Sequence, residues 1–436
     1  MDLKASLARI ALKLAIAVLC AAAVAPATMA QTASGVPGFA AQRRMGYALG
    51  DQWEPAMAAD AHGHIYILFP QYGPVNGCPI CTIPTMSLVV SDDNGNSWQA
   101  PKPLLVSSTG QFDPQIVVDP VDKQTVYVSW LQDNKRDVMV ARSQDFGSSW
   151  YFAMAERSNE DADKPVLAVR GANIYVGFNH DEHFFVAASH DYAQTFSSVT
   201  VNPDAAPGWS LAGGAAVDAN GRVYFSWTAY AKQETDAHPV SINVSHSTDA
   251  GRTWSTALLD SSSAPPGCAA QSCEAEFLGA QVSLASDGAG TIYALWNAGL
   301  TNGSPERIYF SSSTSEGASW SAKTDVSKAN DGVEHCFPAI TAGAAGDVRI
   351  AWMDARNAPL WNVFERSSIN GGATWSSEAQ LSGPVRGYDY ILPDGFKFPF
   401  GDYFSMAIDN LGNTHAVWGE GLNYKSPGSI WYTRGR

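Results

Sequence analysis

Short apolar runs recur along the whole chain, each broken by a turn of Asp and Gly. The pattern begins at residues 55–69, where Pro55 opens a short run to Asp60, Gly63 follows, and a β-branched and aromatic run extends to Phe69. It returns at residues 114–130, 165–178, 214–227, 280–296, 338–352 and 402–418. Each copy reads as strand, turn, strand. The β-branched and aromatic residues suit a pleated surface, and the Gly and Asp residues supply the reversal. Long helical patterns are absent. Seven such hairpins predict a repeat fold built from strands alone.

A second motif follows the hairpins. Residues 91–98, 143–150 and 247–254 fit Ser-x-Asp-x-Gly-x-x-Trp, with Asp93, Gly95 and Trp98, then Asp145, Gly147 and Trp150, then Asp249, Gly251 and Trp254. Three looser copies keep the frame. Residues 189–196 retain Asp191 but place Ala193 for Gly and Phe196 for Trp. Residues 313–320 put Ser315 in the Asp position and end on Trp320, and residues 368–375 put Asn370 there and end on Trp375. The carboxylate accepts backbone N–H groups of its own turn. The Gly permits a positive φ, and the Trp buries a large ring.

One unit of strand A, Asp/Gly turn, strand B, loop, strand C, box turn and strand D accounts for both motifs. Seven hairpins against six boxes leave the last unit one strand short, because only residues 429–433 remain to form a C strand. Residues 41–50 precede the first A strand and supply the missing D strand, which removes a sheet edge. The expectation is therefore an all-β chain, a single β-propeller of seven four-stranded blades closed by its N-terminal segment. A six-blade ring is the alternative.

Composition narrows the setting. Lys4, Arg9 and Lys13 precede an apolar, Ala-rich run over 14–24, and Thr28 to Ala30 ends in small residues. This predicts a signal peptide over 1–30, leaving 31–436 as the exported propeller, periplasmic or secreted. No other run approaches the ~18 apolar residues of a membrane span. The net charge of −15 opposes nucleic acid and anionic membranes as partners. A monomer is expected. Export permits disulfides. Cys78 and Cys81 form one close pair, Cys268 and Cys273 another, and Cys336 is left over; spacing alone does not choose the pairing.

The boxes resemble the Asp-box, or BNR, repeats of the sialidase superfamily, over nearly all of residues 31–436. In that family the box is a structural turn far from the active site, so the resemblance implies fold more than reaction. It also implies a set of site residues: three arginines on the sialate carboxylate, a Tyr paired with a Glu as nucleophile, an Asp as acid/base, and an Arg-Ile-Pro motif before the first box. Here Arg43, Arg44 and Met45 stand in that region instead. Arg136, Arg170, Arg307, Arg356 and Arg386 form no recognisable triad. The family ring has six blades, and seven are counted here.

In a propeller the A strands line the channel, and the D–A and B–C loops share the face opposite the boxes. Residues entering the A strands include Glu54, Asp113, Asp163, Glu276, Glu334 and Asp402. Carboxylates converging there suit a glycosidase acid/base pair or a divalent cation; as loop residues they simply solvate the face. Asp113, Asp402 and Glu334 are the catalytic candidates. Glu54, Asp163, Glu276, Asp354 and Arg356 are the ligand-binding candidates, with Arg356 either clamping an anion or pairing with Asp354. Lys164 is placed to neutralise Asp163. His180 and His183 suit a metal only if their loop turns back, and no metal site is assigned. Cys78, Cys81, His335 and Cys336 motivate a metal-linked alternative. The functional expectation is recognition of a glycan or small-molecule ligand at the channel mouth, with glycoside hydrolysis as the reaction if there is one. A non-catalytic ligand- or protein-binding propeller is the alternative. No cofactor beyond a divalent cation is indicated.

Overall fold

A computed structural model describes residues 38–231, 240–263, 279–357, 360–383, 385–386, 403–420 and 428–436. These are strands, turns and bends with no helix. The strands form seven antiparallel sheets, each one blade, and in blades 2 to 6 the four main strands follow chain order from the channel outward. Blade 2 is representative, with A strand Phe112–Val118, B strand Val126–Gln132, C strand Asp137–Ser143 and D strand Tyr151–Arg157. The A, B and C strands are largely buried because blades cover both their faces, while the D strand alternates with solvent.

Blade 7 closes the ring as the hairpin count requires. Its A, B and C strands are Phe404–Ile408, Thr414–Glu420 and Ser429–Gly435. Its fourth strand is Arg43–Arg44, with Arg43 opposite Tyr432 and Arg44 opposite Trp431. Seven apolar clusters fill the seven gaps between neighbouring blades. The one between blades 7 and 1 joins Met45 and Tyr47 to Ile65, Ile67, Val417 and Ile430. Aromatic B-strand residues such as Tyr66, Trp130, Tyr224, Trp296 and Trp352 are fully buried in these gaps.

The box turns explain their own departures from pattern. Ser91 Oγ donates to Asp93 Oδ1 (2.8 Å) and accepts Gly95 N–H (2.8 Å), while Asp93 accepts both the backbone N–H and the hydroxyl of Ser97. The same bonds recur around Asp145, Asp191 and Asp249. Ser315 Oγ replaces the carboxylate by accepting Ser319 N–H (2.9 Å), and Asn370 Oδ1 accepts Thr374 N–H (2.9 Å). Two successive residues take positive φ in every box, including Tyr192 and Ala193 at 63° and 66°. Gly372 also needs its missing side chain, since a Cβ there would lie 2.3 Å from the Phe310 ring.

The A–B turns carry a second set of staples at the same end. Asp60, Asp218 and Asp287 each accept the hydroxyl of a B-strand tyrosine, namely Tyr66, Tyr224 and Tyr293. Asn94 of a box donates its N–H to Gly63 O of the A–B turn (2.8 Å), which places boxes and A–B turns together. The D–A and B–C connections lie at the opposite end, as the antiparallel order dictates.

Candidate functional site

The A strands start with a local irregularity that determines what reaches the channel. Glu54, Asp113, Lys164 and Phe337 each precede a proline and each has positive φ, between 38° and 55°. Such a backbone is rare for residues with a side chain and costs of order 1–3 kcal/mol. The strand register slips there, between Phe112 and Gln115, Asp163 and Val166, and Cys336 and Ala339. Cross-strand pairing extends the frame to blades without the proline. Phe404 faces Trp418 and Val282 faces Trp296, so Tyr403 and Gln281 hold the equivalent positions, and Gly213 sits in the blade 4 slip. Gly214 faces Ser226 as Gln115 faces Ser129, so Gly213 takes the proline's place and one ring position per blade is Glu54, Asp113, Lys164, Ala212, Gln281, Phe337 and Tyr403.

Lys164, Gly213, Gln281, Phe337 and Tyr403 line a central cavity of about 210 Å³, and Gln115 and Ser405 are on its wall. Four blades bring their polar groups together at this mouth. Tyr403 donates its hydroxyl to Asp113 Oδ1 (3.1 Å), and Asp113 donates its backbone N–H to Glu54 Oε2 (3.3 Å). The Lys164 ammonium lies 4.7 Å from the Tyr403 ring centre, on its π face. Lys135 from the blade 2 B–C turn stands 3.7 Å from Asp113 and 3.6 Å from Asp163. Glu54 and Asp113 are nearly inaccessible, at 3% and 4% exposure, so their charges act where water screens them little.

A phenol hydrogen-bonded to a carboxylate, with an ammonium on its ring face, can pass its proton to that carboxylate and have the developing phenolate stabilised by the cation. The same phenol can instead deliver a proton. Among the described residues, no arginine lines the cavity.

Of the predicted site residues, the structure brings Glu54, Asp113 and Asp163 together. Glu276 and Asp402 lie outside the described residues. Glu334 precedes the ring frame, and both of its oxygens accept the Glu306 N–H (3.1 and 3.2 Å); burial raises its carboxyl to about 8. Asp354 and Arg356 form a bidentate pair, with Nη2 to Oδ2 at 2.6 Å. Arg356 also meets Glu378 at 2.7 Å and stacks on Phe364, so the pairing alternative holds rather than the anion clamp. Asp163 meets Lys135, whereas Lys164 turns to Tyr403.

Cys78 and Cys81, two of the four disulfide candidates, are joined to each other, which removes them as metal ligands and chooses a pairing that spacing left open. Cys268 and Cys273 lie outside the described residues. His335 is buried against Ser327 Oγ (2.7 Å) and two backbone carbonyls, and the Cys336 thiol is buried with its ionisation pushed up by desolvation. Sequence reading missed Tyr403, Lys135 and Gln281. The signal for Tyr403 was its place one residue before Phe404, which faces Trp418 where blades 1, 2, 3 and 6 carry a proline.

No protein-family model and no curated protein matches the chain. Solved structures do. An ulvan lyase, from a new family of polysaccharide lyases, aligns over 89% of this chain and 95% of its own, with a TM-score of 0.51 and 14% identity. A protein of unknown function from Dyadobacter fermentans aligns over 90% and 98%, with a TM-score of 0.50 and 15% identity. The intramolecular trans-sialidase of Ruminococcus gnavus covers 90% and 97%, with a TM-score of 0.47 and 11% identity. At such identities the likeness is one of fold. With its ring of seven antiparallel blades and its repeated Ser-x-Asp turns, the chain is by fold a seven-bladed β-propeller.

Proposed function

We propose that the chain is an exported, glycan-active β-propeller that works at the mouth of its central channel. The observation that carries this reading is the Tyr403–Asp113 hydrogen bond with Lys164 over the phenol ring, set at the edge of a cavity. Tyr403 is the reactive group, Asp113 exchanges its proton, and Glu54 fixes the Asp113 backbone. Among the described residues that line the cavity, the polar groups that would orient a sugar are Lys164, Gln115 and Gln281. The cavity is smaller than the ~300–1,000 Å³ of ordinary ligand pockets, which suits one sugar unit entering the channel with the rest of the glycan across the loop face. The basic-then-apolar pattern of residues 4–30 and the Cys78–Cys81 disulfide support export.

The test is turnover and binding across a panel of neutral, sulfated and uronate-containing glycans, comparing the native chain with Tyr403→Phe. Hydrolysis and elimination are distinguished by the product's reducing end and by unsaturation. Loss of about 10²–10⁴-fold in kcat with retained binding is expected for Tyr403→Phe. Binding without turnover would make the site a lectin-like one. Neither binding nor turnover on any glycan would overturn the reading.

A further inference from the structure

We infer that the rim of blade 3 holds a divalent metal ion of the zinc class, ligated by Glu160, His180 and Asp181. Glu160 belongs to the connection between the blade 2 D strand and the blade 3 A strand. His180 ends the blade 3 B strand Asn173–His180, and Asp181 opens the turn into the C strand His183–Ser189. That turn is as tight as a hairpin allows. His180 pairs directly with His183, so only Asp181 and Glu182 lie between them. The chain therefore does double back here, and it carries His180 to a residue twenty positions away in sequence.

The donor atoms already face one another. His180 Nδ1 is 3.6 Å from Glu160 Oε2 and 3.8 Å from Asp181 Oδ2, and all three ligand atoms lie within 4.8 Å of one another. Bonds of about 2.0–2.1 Å at tetrahedral angles place neighbouring ligand atoms roughly 3.4 Å apart. The two separations from His180 need contraction by only a few tenths of an ångström, and the two exposed carboxylates, already within 4.8 Å of each other, close on the ion by side-chain rotation. One imidazole and two carboxylates suit zinc and its neighbours in the transition series. Calcium needs six to eight oxygens, roughly, and three ligands including a nitrogen do not provide them.

Both supporting loops are tied down from outside the triad. Ser210 N–H donates to Asp181 O (2.7 Å), and Ser210 Oγ and Asn202 Nδ2 donate to Glu182 O. On the other side, Ser158 and Ala162 donate their N–H groups to Arg136 O and Lys135 O, holding the segment that carries Glu160 at both ends. Among the described residues both carboxylates pair with His180, and a cation would relieve the repulsion between Glu160 and Asp181. Three protein ligands leave a tetrahedral ion one open position, taken by water or by an oxygen of a bound molecule. Asn179, next to His180, pairs across the sheet with Asp163, so the ion would adjoin the channel mouth without touching its reactive groups.

The experiment is calorimetric titration of Zn²⁺ into the tag-free, chelator-treated full chain with its disulfide intact, with Ca²⁺ and Mg²⁺ as comparisons. One equivalent of Zn²⁺ should bind. His180→Ala and Glu160→Gln should each weaken binding at least tenfold, while His183→Ala, whose ring faces Glu182, should leave it unchanged. Glu160→Gln lies on an exposed loop and carries the test if His180→Ala does not fold. No saturable Zn²⁺ binding, or binding that both ligand variants leave intact, overturns the site.

Discussion

Two charged clusters stand at the channel-mouth ends of the blades, and they differ in what answers each charge. Between blades 5 and 6, Arg356 grips Asp354 and Glu378 and lies flat on Phe364. Arg307 meets Asp325 and the carbonyls of Ala329 and Asn330, and His335 meets Ser327. This cluster is closed, with protein partners on all sides. Across blades 7, 1, 2 and 3 the carboxylates meet Lys135 and Tyr403, and Lys164 and Tyr403 face a cavity. What separates them is position: Lys164 and Tyr403 stand at the starts of A strands, whereas Arg356 lies near the end of a B strand and Arg307 opens a C strand.

Cutting the closed cluster should have the largest effect on stability. Arg356→Ala leaves the fully buried Asp354 carboxylate without its main partner, and removing one member of a buried pair costs about 3–5 kcal/mol. Urea unfolding should show this as a lower midpoint, with activity per folded molecule unchanged. Tyr403→Phe should behave in the opposite way, losing turnover and keeping the midpoint. If Arg356→Ala abolished turnover at full stability, the division between closed and open clusters would fail.

Acid–base behaviour gives a second, intermediate contrast, between buried glutamates and the exposed box turns. Burial raises Glu334 and Glu420 to about 8 and Glu365 to about 7. From the unfolded value near ~4.3 up to those values, the folded state binds more protons than the unfolded one. Their contribution is therefore complete below that unfolded value and is lost as pH rises through about 7 to 8. The boxes run the other way. Hydrogen bonds from Ser149 and Thr253 hold Asp145 and Asp249 down at about 2, so their contribution is present above ~3.9 and lost as pH falls. Unfolding midpoints should peak in mildly acidic solution and decline on both sides. Glu420→Gln should flatten the alkaline decline and leave the acidic one untouched.

The fold was legible because its signals are local and repeated. Each box and each Asp/Gly turn satisfies its own backbone within a few residues, and the excess of one hairpin over the boxes correctly placed the N-terminal segment in blade 7. The mouth was only partly legible because its residues meet across blades far apart in sequence. Glu54 and Asp113 were found, since a proline marks the slip after each. Tyr403 lacks that mark, and Asp163, one residue before Lys164, looked equally like a channel residue. Lys135 reaches the site from a B–C turn, which no A-strand frame predicts. Arg356 was ambiguous because its choice of partner depends on Glu378 and Phe364, brought in by the neighbouring C strand and its following segment.

The smallest predicted effect tests whether the box end is as purely structural as its geometry suggests. Ala193 holds φ 66° where the well-formed boxes have Gly. A left-handed backbone costs an L-residue roughly 1–2 kcal/mol, while Gly adds unfolded-chain entropy worth ~0.4–1 kcal/mol. The two oppose each other, and the strain is the larger. Ala193 is also buried against the blade 2–3 cluster, so losing its methyl forfeits some burial. Ala193→Gly should therefore raise stability by no more than about 1 kcal/mol, read as a small upward shift of the thermal midpoint. Turnover and ligand binding should not change, because the box lies at the opposite end of the blade from Lys164 and Tyr403. A change in glycan binding from this substitution would mean that the two ends of the blade are coupled.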